Sequence, residues 1–412
     1  MTVIRPFQAV RPTEKLASSV AALPYDVYSR SEAREAVKSR PLSFLKIDRA
    51  ETQLPEDTDM YSQPVYDKAK ELLEAMRSDG SYIQDETPCY YIYTLTMNNR
   101  SQTGLVGCAS INDYLENRIK KHENTREDKE LDRIRHVDTL NAQTGPIFLT
   151  CHTDARLSRI LSDVKQSAPL YDFTMEDQVR HEVWKIDDTD TIQEIYQIAQ
   201  SIDSIYIADG HHRAASAVKV GLKRRREHPG YTGREEFNYF LCVLFASEEL
   251  LIYDYNRIVS DLNGYTFTEF LAHVKKNFDV KETGTYIDRP SCKGEIGLYG
   301  NGSWYLLRVK PGLIPDDPVS RLDVSVLQDM ILEPLLGIHD PKTDSRIQFV
   351  GGIRGLEVLS ETVDAQKNGA AFSMYPTSME ELLSVADAGR LMPPKSTWFE
   401  PKLLSGLFIH PI

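Results

Sequence analysis

Cysteine is scarce in this chain. Five occur, Cys89, Cys108, Cys151, Cys242 and Cys292, and no two form a Cys-x-x-Cys pair. An odd, scattered set argues against a disulfide framework or a zinc site, and fits reduced thiols in a cytoplasmic protein. Long apolar runs are also lacking. No stretch approaches the roughly 18 residues that a membrane span requires. The opening MTVIRPFQAVRPTEK has no apolar signal core, and the closing FIHPI is no peroxisomal address. No membrane partner is expected. There is no excess of positive charge either, since the formal net charge is -13. Phosphate backbones attract net positive surfaces, so no nucleic-acid partner is expected, although a local basic pocket is compatible with this balance. Familiar nucleotide motifs are missing too. GGIRG falls short of the dinucleotide fingerprint, no glycine loop precedes a Lys-Ser/Thr pair, and the protein-kinase motif set is absent. Internal repeats and long low-complexity segments are not found.

What is present is an ordinary globular composition, 41% hydrophobic and 26% charged over 412 residues. That length suits two domains or one elaborated one, and is read here as 1–260 and 261–412. Two β-rich runs around NNRSQ, within 90–112, predict a hairpin. The charged stretch 125–141 predicts an amphipathic helix with Leu131, Ile134, Val137 and Leu140 as its apolar stripe, started by Thr125 and Asp128. Residues 204–208 read as a buried strand. Residues 211–220 read as a helix ended by Gly221, with LKRRREHPGYTGREEF as a polar loop. YFLCVLFA and LLIYDYNRIV read as strands, GEIGLYGNGSWYLLRV as a hairpin, and LDVSVLQDMILEPLLGI as an amphipathic helix stopped by Gly337. Strands and helices without regular alternation predict an α+β (mixed α/β) fold.

The strand-to-helix junction IYIADGHHRAASAVKVG concentrates chemistry. Asp209 is expected to cap the helix, and Gly210 to allow a tight turn. His211, His212 and Arg213 then fill the first helical turn. Its free N–H groups and dipole favour an anion, and Arg213 adds a planar fork suited to phosphate. The competing reading is a capped helix with solvated polar residues. Adjacent helical residues point about 100° apart, so His211 and His212 chelate a metal poorly. A metal held through nucleotide phosphates fits better.

Three further segments offer candidates. In IKKHENTRED, Glu123 is a possible general base, or else a surface carboxylate beside Lys120 and Lys121. Thr125 and Arg126 follow it within reach of phosphates. In LMPPKSTWFEPK, prolines stiffen the approach to Lys395, and Ser396 and Thr397 add hydroxyls. That is either a phosphate or substrate grip or a proline-pinned turn. Trp398 walls a pocket or belongs to the core. In ALPYDVYS, Asp26 binds a substrate ammonium or a ribose, or forms an Asx turn.

IADGHHRAASA resembles the phosphate-binding motif of the ParB/sulfiredoxin-like superfamily, and within it the free serine kinases, which carry Asp-Gly-His-His-Arg. PFQAVRP, LPYDVYS, DGHHR and MPPKSTWFEPKLLSGLF together resemble a family known as domain of unknown function 1015 (DUF1015), whose members are understood to be free serine kinases. The resemblance implies a ParB/sulfiredoxin-like nucleotide-binding core with insertions, and a C-terminal α/β domain that closes the site. It implies phosphoryl transfer from ATP or ADP to free L-serine, giving O-phosphoserine, with Mg2+ carried on the phosphates. Glu123, beside His122, would be the base. Asp209, Gly210, His211, His212 and Arg213, with Thr125 and Arg126, would hold phosphates. Lys395 would face the transferred phosphate or the substrate carboxylate, with Asp26, Ser396, Thr397 and Trp398 near the substrate. Glu123, Arg213 and Lys395 are then expected to line one cleft. Two other readings remain open. One is a ParB-like DNA-binding module gated by CTP or ATP, using the basic run Lys223 to Arg226. The other is a kinase for a different small hydroxylated metabolite. The sequence leaves the oligomeric state open.

Overall fold

The protein is represented by a computed structural model that describes residues 1–285, 289–366 and 368–412. It is a mixed α+β structure of two units, Met1–Leu250 with Pro401–Ile412, and Leu251–Glu400.

The first unit is built on a nine-stranded sheet. Its strands are β1 (Ile4–Arg5), β2 (Tyr90–Met97), β3 (Arg100–Ser110), β4 (Ile119–Lys120), β5 (Ile147–Cys151), β6 (Tyr171–Thr174), β7 (Arg180–Ile186), β8 (Ile205–Asp209) and β9 (Tyr239–Ala246). They run in the order β4-β8-β5-β9-β3-β2-β7-β6, with β1 pairing β3. Most neighbours are antiparallel, but β8 runs parallel to β4 and β9 parallel to β5. The predicted hairpin is β2–β3. Its turn is tighter than the five-residue NNRSQ, because Asn98 and Asn99 both take positive φ, 51° and 60°. A two-residue turn of that hand matches the twist of the strands it joins.

Five longer helices accompany this sheet, α1 (Gln63–Ser78), α2 (Glu127–Leu140), α3 (Ala155–Val164), α4 (Thr189–Gln200) and α5 (His211–Glu227). Ile160, Ile195, Ile198, Ala214 and Val218 from α3, α4 and α5 pack with Ile92, Leu105, Leu149 and Ile207 of the sheet. The residues of β8 from Ile205 to Ala208 are all buried, which is why that strand reads as continuously apolar.

Three expectations for the helices are corrected. α5 does not stop at Gly221 but continues to Glu227, so Lys223 to Arg226 are helical rather than loop. Gly221 serves packing instead, since a Cβ there would run into the Phe237 carbonyl. In α2 the expected stripe holds only in part: Leu140 is buried and Ile134 and Val137 are half-buried, but Leu131 is 47% exposed while Glu130, Asp132, Arg133 and His136 are buried. The start of α2 has no side-chain cap; the Thr125 hydroxyl donates to Glu130 (2.7 Å) instead.

The last residues return to the first unit. Ser405 and Ala22 exchange main-chain bonds of 2.8 and 3.2 Å, and Ile409 and Val10 do the same at 2.9 and 3.0 Å. The second unit holds a six-stranded antiparallel sheet. Its strands are β10 (Tyr255–Val259), β11 (Phe278–Gly284), β12 (Glu295–Gly300), β13 (Ser303–Val309), β14 (Ile347–Gly351) and β15 (Ala370–Met374), in the order β11-β13-β12-β15-β10-β14. The predicted hairpin is β12–β13, turning at Asn301 and Gly302. The expected helix from 322 is shorter than its pattern, with α-helix over Asp323–Leu327 and then a π-helical turn over Gln328–Leu332. Among the described residues no helix is long and apolar enough to cross a membrane. All five cysteines are free thiols, four of them buried.

Candidate functional site

Sheet order brings two distant segments together. β4 and β8 are adjacent and parallel, with Ile119 opposite Ile205 and Lys120 opposite Tyr206. Parallel neighbours end on the same edge of a sheet, so the loop 121–126 and the turn 210–213 emerge side by side. Hydrogen bonds and a ring contact join them. The main-chain N–H of Arg126 donates to His212 Nε2 at 3.0 Å, which puts the proton of that neutral ring on Nδ1. His122 and His211 meet edge to face, with ring centroids 4.5 Å apart.

Both of those last imidazoles are buried. Burial lowers the His122 pKa to about 4 and holds His211 well below its ordinary value, so both rings are neutral at physiological pH. The charge at the turn comes from elsewhere. Asp209 is not the helix cap. Gly210 occupies that position with φ +93°, and Asp209 ends β8. The Asp209 carboxylate accepts from the Gly210 N–H (2.8 Å) and from Lys402 (3.2 Å). Burial alone would raise its pKa, but Lys402 and Arg213 outweigh that and hold it well below the usual carboxylate range. Arg213 folds back under the turn, where it donates to the Pro146 carbonyl at 2.5 Å and would crowd a Cβ at Gly210, 3.0 Å away.

Glu123 is half-buried between the two histidine contacts along the chain. Thr125 is committed to Glu130, which also pairs with Lys219 of α5. The exposed Arg126 guanidinium pairs with Asp128 (2.9 Å). Asp26 is exposed in a short 3-10 turn. It forms no Asx turn, and its neighbour Tyr25 is the residue that faces inward.

Beside the turn lies a narrow pocket that sequence reasoning missed. Arg213, Gly145 and Thr144 line one part of it, and Tyr25, Arg133 and His136 another. The Arg133 guanidinium lies 4.0 Å from the Tyr25 ring centroid and pairs with Asp132 (2.8 Å). The Tyr66 hydroxyl donates to that same Asp132 (2.9 Å). The available signal was in α2, where Glu130, Arg133 and His136 recur at three-residue spacing. A search for an apolar stripe passed over it.

The remaining predicted residues lie in the second unit. Lys395 is exposed, in the turn after Pro393 and Pro394. The Ser396 hydroxyl donates to the Pro393 carbonyl (2.6 Å), so it pins that turn. Trp398 packs edge-on against Tyr255, with centroids 5.0 Å apart, and its indole N–H donates to Glu400 (2.8 Å). Thr397 is half-buried beside it. Among the described residues no group of three His, Cys, Asp or Glu side chains could hold a metal ion.

Comparison with known proteins gives partial likenesses. SbnI with a C-terminal truncation, from Staphylococcus aureus, is 10% identical, with a TM-score of 0.39 covering 73% of this chain and 85% of that one. A free serine kinase in complex with AMP is 15% identical, with a TM-score of 0.34 covering 71% and 86%. A conserved hypothetical protein from Pyrococcus furiosus is 12% identical, with a TM-score of 0.34 covering 73% and 94%. No curated protein matches the chain. A family described as "Protein of unknown function (DUF1015)" matches residues 4–325, and the chain belongs to that family.

Proposed function

We propose that this protein is a free L-serine kinase. The observation that carries the reading is the pairing of the Glu123 loop with the Asp209–Arg213 turn through Arg126 and His212. It supports a reading in which the Glu123 carboxylate works beside a helix N-terminus, the arrangement that phosphoryl transfer to a hydroxyl needs. The nucleotide phosphates lie on the first-turn N–H groups of α5, in the field of Arg213 and Lys402. The serine hydroxyl oxygen attacks the terminal phosphorus of ATP or ADP. The bond from that phosphorus to the bridging oxygen breaks, the nucleotide leaves with one phosphate fewer, and the hydroxyl proton passes to Glu123. The products are O-phosphoserine and the shortened nucleotide. In this reading Asp26 binds the substrate.

The protein offers no cage of its own for Mg2+ among the described residues. The reading therefore places Mg2+ on the phosphate oxygens, and no step of the protein's chemistry runs through a protein-held metal. The DNA-binding reading is less well supported. Lys223 and Arg224 pair with Asp138, at 2.5 and 3.0 Å, and Arg225 donates to Asn238 and Asn112. These groups would have to leave their partners to meet a phosphate backbone.

An acceptor series tests the proposal. Purified protein with Mg2+ and ATP or ADP is given L-serine, D-serine, L-threonine or glycerol, and phosphorylated product is measured by mass spectrometry. L-serine is expected to be preferred. Preference for another acceptor would move the reading to a different metabolite kinase, and no product with any of them would remove it.

A further inference from the structure

A second cleft lies in the first unit, away from the Asp209–Arg213 turn. In β5, Phe148 stands opposite Asp209, while Cys151 lies beyond the position opposite Tyr206 and pairs with Ala246 of β9. There α3 passes over the sheet. Asp154 caps this helix by accepting from the main-chain N–H groups of Arg156 (2.9 Å) and Leu157 (3.4 Å). Leu157, Leu161 and Lys165 then recur every four residues, so they form one row along the helix and its end. With Thr103 of β3, Leu244 of β9 and Cys151, that row lines a cleft of 390 Å³. Sites for small molecules run from roughly 300 to 1,000 Å³.

The floor is apolar. Leu157, Leu161, Leu244 and Cys151 are all buried. Burial pushes the Cys151 thiol up to about 12, so it is a neutral wall at physiological pH. Two charges of opposite sign stand together at one end, both held by Thr103. Its hydroxyl accepts from the Lys165 ammonium (3.0 Å), and its main-chain N–H donates to the Glu249 carboxylate (2.5 Å). The Lys165 ammonium also lies 5.5 Å from the Trp184 ring centroid. The two charges do not pair with each other, and among the described residues neither forms another ion pair. Arg100 bonds the main-chain carbonyl of Glu249, not its carboxylate. Asp154 also lines the cleft, but its carboxylate is taken up by Arg156 and the helix cap. Separate opposite charges on one residue, above an apolar floor, complement a ligand that carries an ammonium and a carboxylate on one carbon with an apolar group beyond.

We infer that this cleft binds a free amino acid with an apolar side chain, its carboxylate on Lys165, its ammonium on Glu249 and its side chain against Leu157, Leu161 and Leu244. Charge-assisted hydrogen bonds orient the head group, and burial of the side chain adds affinity. The inference goes beyond the kinase reading and does not depend on it, since none of these residues belongs to the Glu123 and Asp209–Arg213 site.

The test is calorimetric titration of the full chain with L-leucine, L-methionine and L-phenylalanine, and with glycine as the probe that lacks a side chain. At least one of the three should bind, and glycine should bind about tenfold or more weakly. The forms of the tightest binder that lack its ammonium or its carboxylate should each lose about tenfold or more. K165M and E249Q should each weaken the intact amino acid by a similar factor. Met keeps the stem of Lys165, and Gln keeps an oxygen for the Thr103 N–H. Circular dichroism checks that each variant is folded, and if one is not, the other decides. E123Q should leave the affinity unchanged. No binding of any of the three up to about 10 mM, or an affinity unchanged in folded K165M or E249Q, would overturn the site. Glycine binding as tightly would overturn the apolar floor as its basis, and a deaminated acid binding as tightly would overturn the paired head-group contacts. Loss of binding in E123Q would place the amino acid in the kinase site and overturn the separate cleft.

Discussion

Arg126 and His212 meet through a main-chain N–H, so what matters at residue 212 is an acceptor in the right place. His212→Ala removes it and frees the loop that carries Glu123. Turnover is expected to fall about tenfold, since one positioning bond is lost, with partial recovery in His212→Gln. Equal turnover in the Ala variant would show that the bond does not position the loop. Glu123→Gln keeps the shape and removes the base, so turnover should fall by about a hundredfold or more with KM little changed. At this scale the sequence was informative where chemistry is local. DGHHR and HENTR announce themselves as dense runs of ionisable residues. Lys402 could not be found that way, because its bond to Asp209 spans 193 positions. The Arg126 guanidinium pairs with Asp128, two residues on.

At the scale of the element, the glycines separate two uses that look alike in sequence. Gly210 has φ +93°, and a Cβ there would lie 3.0 Å from the Arg213 guanidinium. Gly210→Ala should cost about 1–2 kcal/mol from backbone conformation alone and displace Arg213. The measurement is the urea midpoint together with nucleotide affinity, and loss of neither would contradict this account of the turn. Gly221 reads as a helix stop, yet the helix runs through it, because the absent side chain lets the Phe237 carbonyl approach. Gly221→Ala should therefore destabilise by about 1–3 kcal/mol, as an overpacked core position does, without changing affinity in the folded protein. The hairpins and the buried strand were legible because turn residues and alternation are local signals. The true face of α2 was not, because its inward residues Glu130, Asp132, Arg133 and His136 are polar and gain their partners only from other elements.

For the whole molecule, the buried histidines set the response to acid. Burial lowers the pKa of His122 and His136 to about 4 and of His181 to about 3. An unfolded histidine titrates near 6.5. Between about 4 and 6.5 the unfolded chain therefore binds protons that these folded rings refuse, and stability falls as pH drops through that window. Each such ring contributes up to about 1.4 kcal/mol per pH unit there. The urea midpoint should be clearly lower at pH 5 than at pH 7, and equal midpoints would show that these rings are not held neutral. The mixed fold was legible at this scale from its irregular order of strands and helices. The return of Pro401–Ile412 to the first unit was expected in outline, but not its pairing with Val10 and Ala22, because those are main-chain bonds that carry no side-chain signature.

The central claim is phosphoryl transfer to the hydroxyl of free serine at the Glu123 and Asp209–Arg213 site. Phosphorus NMR of the purified protein with Mg2+ and L-serine, and with ATP, ADP or CTP in separate tubes, tests it most directly. The account predicts a new phosphomonoester signal matching O-phosphoserine with ATP or ADP, absent without serine and nearly absent with Glu123→Gln. Nucleotide loss without a phosphomonoester, or an undiminished signal from Glu123→Gln, would contradict it.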